Sequence, residues 1–545
     1  MGLACWTLFL FDEMLTFLIL NPAGRASRIM RVFGKACALS FVLGCPLVAE
    51  PGALNQPALN NAAVLPDLGD GSDMAPVAER RLGDRIAREL YRDPDYLDDP
   101  VIMDYVQGIW LSLIAASRAR GEMPDALYDA YAWEILAGRD RTVNAFALPG
   151  GYFGLHLGLV GLVETRDELA SVLAHELSHV TQRHISRSMA RQSAQAPWLL
   201  GAMILGMIAA SRDANTAQAV VVGGQATAAQ SQLNYSRGME READRIGFNV
   251  STQAGYAPQG FVSMFEKLQL SSRLNDAGGF PYLRTHPLTT ERIADMQTRV
   301  QQLPGATLQN PAKQEPLMIA ARARVLSNMD VDALRLWRQQ AAPENLSHVS
   351  VSAQIATLYG ASLAALQLRD YALVHATLAR LLKGPLFAAL EPAAQRLVRL
   401  LELETALAEA TQNGAPQRAI ELAQGLDVSQ RAGLLLTSQA RVQGGQADAA
   451  AQLLQSWVTD HPRDATAWQL LAAAYNAQGM VVAGVRADAE AHFAHFDYAG
   501  ALARLKAAQD LLRKGGPTSD YIDGSIIDTR VHQIELLLKE QALER

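Results

Sequence analysis

The chain is short of cysteine: of 545 residues only Cys5, Cys37 and Cys45 are cysteines, all within the first 45 positions. A disulfide framework is thereby excluded for the body of the protein, whose stability has to come from packing. An excess of basic charge is missing as well. Forty-eight Lys and Arg stand against 55 Asp and Glu, a formal net charge of −7, with no basic stripe of the kind that marks a nucleic-acid binder. Aromatic residues make up only 6% while hydrophobic residues reach 49%, the proportions of an Ala/Leu-rich helical protein. Long apolar runs are absent. The stretches 36–49 (ACALSFVLGCPLVA) and Pro197–Ala210 (PWLLGAMILGMIAA) each stop at 14 residues, short of the roughly 20 that a membrane-spanning helix needs. A chain of this length is expected to divide into more than one domain.

What is present begins with a leader. Arg25, Arg28, Arg31 and Lys35 precede the apolar stretch 36–49, the pattern of an export signal, which predicts delivery to a bacterial periplasm. Met30 offers a natural start, making residues 1–29 an upstream extension. Two processing routes are open: cleavage near Ala49, or lipidation of Cys45 within Val42-Leu43-Gly44-Cys45 as an outer-membrane lipoprotein. Residues 1–49 are thus read as extension and signal, and 50–76, rich in Pro, Gly and Asn, as a linker. A mixed domain follows over 77–303, then a second linker at 304–319 and a helical repeat region over 320–545. Within the mixed domain, TVNAFALPGGYFGLHLGLV (142–160) carries β-branched and aromatic residues around Pro149-Gly150-Gly151, which predicts a short hairpin. In the repeat region Trp468, Leu471, Ala472 and Tyr475 have the spacing W-x2-L-A-x2-Y, and Gly445 and Gly479 lie 34 residues apart with Pro462 between them. That resembles the tetratricopeptide repeat, with a plain helical bundle as the alternative.

The residues that carry chemistry lie in VLAHELSHVTQRH (Val172–His184). Thr165-x-x-Glu168 is a capping box predicting a helix from there to about Arg191. On it His175 and His179 are one turn apart and face the same side, the spacing of two metal ligands. Glu176 lies about 100° round from His175, able to reach an attacking water without ligating the metal. Further on, YSRGMEREADRIG puts Glu240 and Asp244 on one face of a second helix. A catalytic zinc site takes three protein ligands, and Glu240 supplies the third. Asp244, one turn on, is set to accept a hydrogen bond from a ligand histidine. His156 and His184 have no partner at ligand spacing and read as structural.

HExxH, then ExxAD about sixty residues on, with NAFALPGGY (Asn144–Tyr152) before and RTHPLTTER (Arg284–Arg292) after, resembles the M48 family of zinc metallopeptidases. With an export signal in front and repeat-like helices behind, the chain resembles the β-barrel assembly-enhancing branch of that family. The resemblance implies a mostly α fold: a zincin-like protease domain with a small β-hairpin or sheet, followed by an α-helical tetratricopeptide-like solenoid. It implies one Zn2+ per chain on His175, His179 and Glu240, with Glu176 as general base. For His286 three roles stay open: surface turn residue, donor to the oxyanion, or fourth zinc ligand in a latent state. Asn144, Ala145 and Phe146 would form an edge that takes up substrate backbone, with Gly150 and Gly151 allowing close approach. Implied substrates are unfolded or misassembled outer-membrane proteins. The outer-membrane assembly machinery is an implied partner of the repeats, which would choose the clients. Pro197–Ala210 reads either as a flap making peripheral membrane contact or as a buried helix. The competing functional reading is a chaperone-like scaffold for outer-membrane protein assembly with minor or latent protease activity.

Overall fold

The computed structural model describes residues 74–191, 236–274, 280–303, 313–383, 385–514 and 521–543. The export signal, Cys45 and Pro197–Ala210 lie outside the described residues. Helices α1 (Pro76–Tyr91) and α2 (Pro100–Ala119) both open on proline, whose missing N–H is one a helix start leaves unbonded anyway. Among the described residues α2 alone is long and apolar enough to cross a membrane. Its Ile109, Trp110 and Leu113 are fully buried, so here it is a core helix.

After α3 (Asp125–Ala130) come three strands, β1 (Glu134–Gly138), β2 (Ala145–Leu148) and β3 (Tyr152–His156), in the order β1-β3-β2. The predicted hairpin is present as the antiparallel β2–β3 pair. The parallel partner β1 was not foreseen. Its three central residues are all buried, so the sequence EILAG lacks the alternation that announces a strand with one wet face. β2 is left at the sheet edge, and the Phe146 ring fills the place a Cβ at Gly154 would take, 2.1 Å from it.

Next are α4 (Leu157–Leu162) and α5 (Arg166–Thr181), the latter with both halves of the predicted capping box formed by Thr165 and Glu168. The helix expected to continue to about Arg191 does not. It stops at Thr181, Arg183 takes a left-handed φ of 53°, and α6 (His184–Arg191) starts in a new direction. What holds Arg183 there is an ion pair, 2.6 Å, with buried Glu79 of α1. Helix α7 (Arg237–Gln253) then packs across α5 at Gly247, where an added Cβ would lie 3.0 Å from the Ala174 backbone. Helices α8 (Gln259–Leu274), α9 (Pro281–Thr285) and α10 (Thr290–Gln302) complete the surroundings of α5.

The segment expected as a linker over 304–319 contains the start of α11 (Gln314–Ser327). From there successive helices pack on their neighbours, as Ala447–Asp460, Ala465–Ala477, Val481–Ala494 and Tyr498–Lys514 do. The turns at Gly445 and Gly479 have φ of 75° and 77°, the left-handed backbone that glycine adopts without strain. This helical array is not a detachable arm. One apolar cluster runs without a break from Val101 to Ala440. Buried Arg322 of α11 donates to Asp99 at 2.7 and 2.8 Å and to Glu404 at 2.6 and 3.0 Å. Arg431 pairs with Asp98 at 2.6 Å, and Arg463 with Glu134 at 3.2 Å. Cutting the chain after Met318 would remove all three arginines and strip apolar cover from α2 and α4.

Candidate metal centre

Every residue of α5 from Glu168 to Thr181 is buried, so His175, Glu176 and His179 sit inside the protein. Glu240 enters from the first turn of α7, and His286 from the residue that ends α9. Four ligand atoms, one each from His175, His179, Glu240 and His286, lie within 4.8 Å of one another. The individual separations are 3.0 Å for His175 Nε2–His179 Nε2, 3.1 Å for His286 Nδ1–Glu240 Oε1 and 3.3 Å for His175 Nε2–His286 Nδ1. Glu240 stands 3.4 Å from His179 and 3.6 Å from His175. A tetrahedron with metal–ligand bonds of about 2.0–2.1 Å has edges of roughly 3.3 Å. The four groups therefore fit one tetrahedral cation of that size.

The surroundings favour a cation. Burial works against protonation of His175, but Asp244 and Glu240 outweigh it and push its pKa up to about 10. Burial would raise Glu240 and Asp244; the histidines around Glu240, and Arg292 with His175 beside Asp244, instead hold both carboxyls below their ordinary range. Burial keeps His179 well below the usual imidazole range and His184 down at about 4, so both rings are neutral. The sign of the linkage follows. With its pKa raised, His175 is protonated at pH 7 in the metal-free protein, and a metal taking its Nε2 lone pair expels that proton. Metal binding at pH 7 is expected to release about one proton per ion and to weaken as pH falls. Calorimetry in buffers of different ionisation enthalpy measures the number.

Glu176 is 1% exposed, and neither carboxylate oxygen has a hydrogen-bond partner of ordinary geometry among the described residues. Burial raises its pKa. His286 Nε2 lies 3.5 Å away, and the His286 ring stacks on Tyr282 at 4.7 Å between centroids. His286 is 1% exposed, which removes the surface-turn reading of it. Asn144 is buried, its Oδ1 has no hydrogen-bond partner among the described residues, and its carbonyl accepts from His156 N at 3.0 Å. Ala145 and Phe146 lie on the edge strand β2, which packs against α5. Gly150 and Gly151 need correcting. The space a Cβ would take is filled at Gly150 by the α1 backbone, 2.6 Å from Arg80 Cα, and at Gly151 by Tyr131, 2.8 Å from its Cβ. Their close approach serves packing against the protein itself rather than against a substrate.

Sequence reasoning placed Asp244 behind the ligands, and its Oδ1 is 2.9 Å from His175 Nδ1. It missed what holds Asp244. Arg292 of α10 grips that carboxylate with two bonds of 2.6 and 2.7 Å and reaches Glu240 Oε2 at 2.8 Å. The signal was in view, since Arg292 ends the RTHPLTTER stretch. His184, expected as structural, stays outside the quartet but stands against one of its members. Its Nδ1 is 2.8 Å from His179 Nδ1, across the break at Arg183. In an unbroken helix, residues five apart would point about 140° away from each other. His156 lies 2.8 Å from Thr142 Oγ1 within the sheet region.

The family model for Peptidase family M48 matches residues 106–300, the part of the chain that contains all of these groups. A beta-barrel assembly-enhancing protease of Yersinia pestis is 31% identical over 91% of this chain and 96% of its own length. That of Escherichia coli (strain K12) is 30% identical over 88% of this chain and 92% of its own. The mitochondrial metalloendopeptidase OMA1 of Saccharomyces cerevisiae is 28% identical over a shorter stretch, 35% of this chain. Alignment along nearly the whole length of such relatives, over a buried quartet able to hold a metal ion, means that the chain belongs to the M48 family of metallopeptidases.

Proposed function

We propose that this chain is a zinc endopeptidase of the periplasm that hydrolyses misassembled or stalled outer-membrane proteins. The observation that carries the chemistry is the tetrahedral spacing of His175, His179, Glu240 and His286 beside the buried carboxyl of Glu176. The substrate class rests on the relatives' name, beta-barrel assembly-enhancing protease. His175, His179 and Glu240 would hold the zinc. When bound, zinc would supply Lewis-acid polarisation of the scissile carbonyl and of the attacking water. Glu176 takes the proton of that water and returns it to the leaving amine. The outer edge of β2 at Asn144, Ala145 and Phe146 receives the substrate backbone as an added strand, with Asn144 Oδ1 as a waiting acceptor. Residues 77–303 carry this chemistry. The helices over 320–545, read as tetratricopeptide-like, offer surface for clients or the assembly machinery. The test is direct: zinc-loaded protein should cleave an unfolded outer-membrane barrel protein and spare the same protein once folded. Equal cleavage of both forms would remove the quality-control role.

His286 decides whether the resting enzyme is closed. Its Nδ1 lies 3.1 Å from Glu240 and 3.3 Å from His175, among the ligand atoms, which favours a fourth ligand over an oxyanion donor. Four protein ligands make a zinc site catalytically closed. His286→Ala is therefore expected to raise basal cleavage of a model peptide. A fall of about a hundredfold, the size of a lost oxyanion donor, would instead assign His286 to the transition state.

A further inference from the structure

The two histidines of α5 are buttressed differently. His175 has a carboxylate directly behind it, Asp244, fixed in turn by Arg292. Behind His179, on its Nδ1 side, the neighbour is a second imidazole. It belongs to His184, with Nδ1 2.8 Å from His179 Nδ1. The other ring nitrogen of His184, Nε2, is 3.0 Å from Glu242 Oε2, and Arg187 Nη1 is 3.1 Å from the same oxygen. Hydrogen-bond polarity gives these contacts a direction. A carboxylate only accepts, so His184 Nε2 donates to Glu242. With that proton on Nε2, the Nδ1 of His184 presents a lone pair to His179 Nδ1, 2.8 Å away, which donates to it. His179 is left with its lone pair on Nε2, the nitrogen 3.0 Å from His175 Nε2 and 3.4 Å from Glu240 Oε1.

We infer that His184 is a positioning residue for the metal centre: with Glu242 it forms a relay that locks His179 in the tautomer and orientation a cation needs. This rests on the metallopeptidase reading above. Glu240, Glu242 and Asp244 then divide one helix among three tasks: ligand, support for His179 through His184, and support for His175. The break between α5 and α6 has a purpose in this arrangement. The left-handed Arg183, held by Glu79 at 2.6 Å, turns the chain so that His184 comes back beneath His179. His184 is fully buried, whereas the Glu242 side chain is 36% exposed, so Glu242 can be changed with little effect on folding.

The test measures metal affinity rather than turnover. Zinc dissociation constants come from competition with a chelator, and the visible absorption of the cobalt(II)-loaded protein reports ligand geometry. His184→Leu, which removes the acceptor, is expected to weaken zinc binding 10- to 100-fold, the usual size of such an effect, and to alter the cobalt spectrum. His184→Asn, whose Oδ1 can stand near the lost Nδ1, should restore most of the affinity. Glu242→Ala should weaken binding about tenfold at an unchanged melting temperature, and His184→Leu/Glu242→Ala should bind no more weakly than His184→Leu alone. If His184→Leu lowers only the melting temperature while affinity and spectrum stay those of the wild type, His184 is ordinary core and the relay is wrong. Should His184→Leu fail to fold, a wild-type affinity and spectrum in Glu242→Ala would overturn the relay equally. Failure of the wild type to bind any metal would overturn the inference together with the reading beneath it.

Discussion

Replacing Glu176 by Gln is expected to leave the metal content intact and lower peptide hydrolysis by about a hundredfold to ten-thousandfold, the range for loss of a general base. The expectation follows from position. Glu176 shares α5 with His175 and His179 but is absent from the quartet whose atoms close on one point. Its closest ion-pair contact is a long one, 3.5 Å to His286 Nε2, so the isosteric amide should cost the fold little. The thermal midpoint should not fall. Because burial raises the Glu176 pKa, the wild-type enzyme should lose activity on the acid side above the ordinary carboxylate range. As pH drops through the raised pKa, the base becomes protonated and cannot accept the water's proton. At saturating metal, the part of that acid limb due to Glu176 should be missing from the residual activity of the variant. Metal analysis, peptide cleavage and a pH profile of kcat/KM check the three parts. Wild-type turnover in Glu176→Gln would remove Glu176 from the mechanism.

Arg292→Ala is expected to damage the protein more than any ligand substitution does. Arg292 is 4% exposed and makes the two short bonds to Asp244 and the 2.8 Å contact with Glu240. Without it, two carboxylates that are each 1% exposed lose the guanidinium that pairs with both of them. Breaking a buried ion pair from one side costs about 3–5 kcal/mol. Asp244, no longer gripped, also ceases to orient His175, so metal affinity should drop with stability. Arg292→Lys should recover only part of both, since a point charge cannot reproduce the two parallel bonds of a guanidinium. Denaturant unfolding at saturating zinc and chelator competition give the two measures. An unfolding free energy within about 1 kcal/mol of wild type would mean that water replaces the guanidinium without strain.

The sequence by itself determined the local parts of this protein. The capping box Thr165–Glu168, the one-turn spacing of His175 and His179, the Ala145–His156 hairpin and the glycine turns at 445 and 479 all reflect energies set within a few residues, and each is found in the structure. Glu240 and Asp244 were legible because HExxH leaves a tetrahedral site one ligand short and a helix carries i and i+4 to the same side. What only the tertiary structure decided depends on groups distant in the chain. β1 is a strand because β3 pairs with it in parallel, and its buried faces leave no alternation to read. The end of α5 is fixed by an ion pair 104 residues back, Arg183 to Glu79, which no local propensity encodes. His184, Glu242 and Arg292 look like ordinary residues on amphipathic helices. They become part of the centre only when α6, α7 and α10 close around α5, because burial of His184 and Arg292 there turns their polar atoms toward the groups that face them.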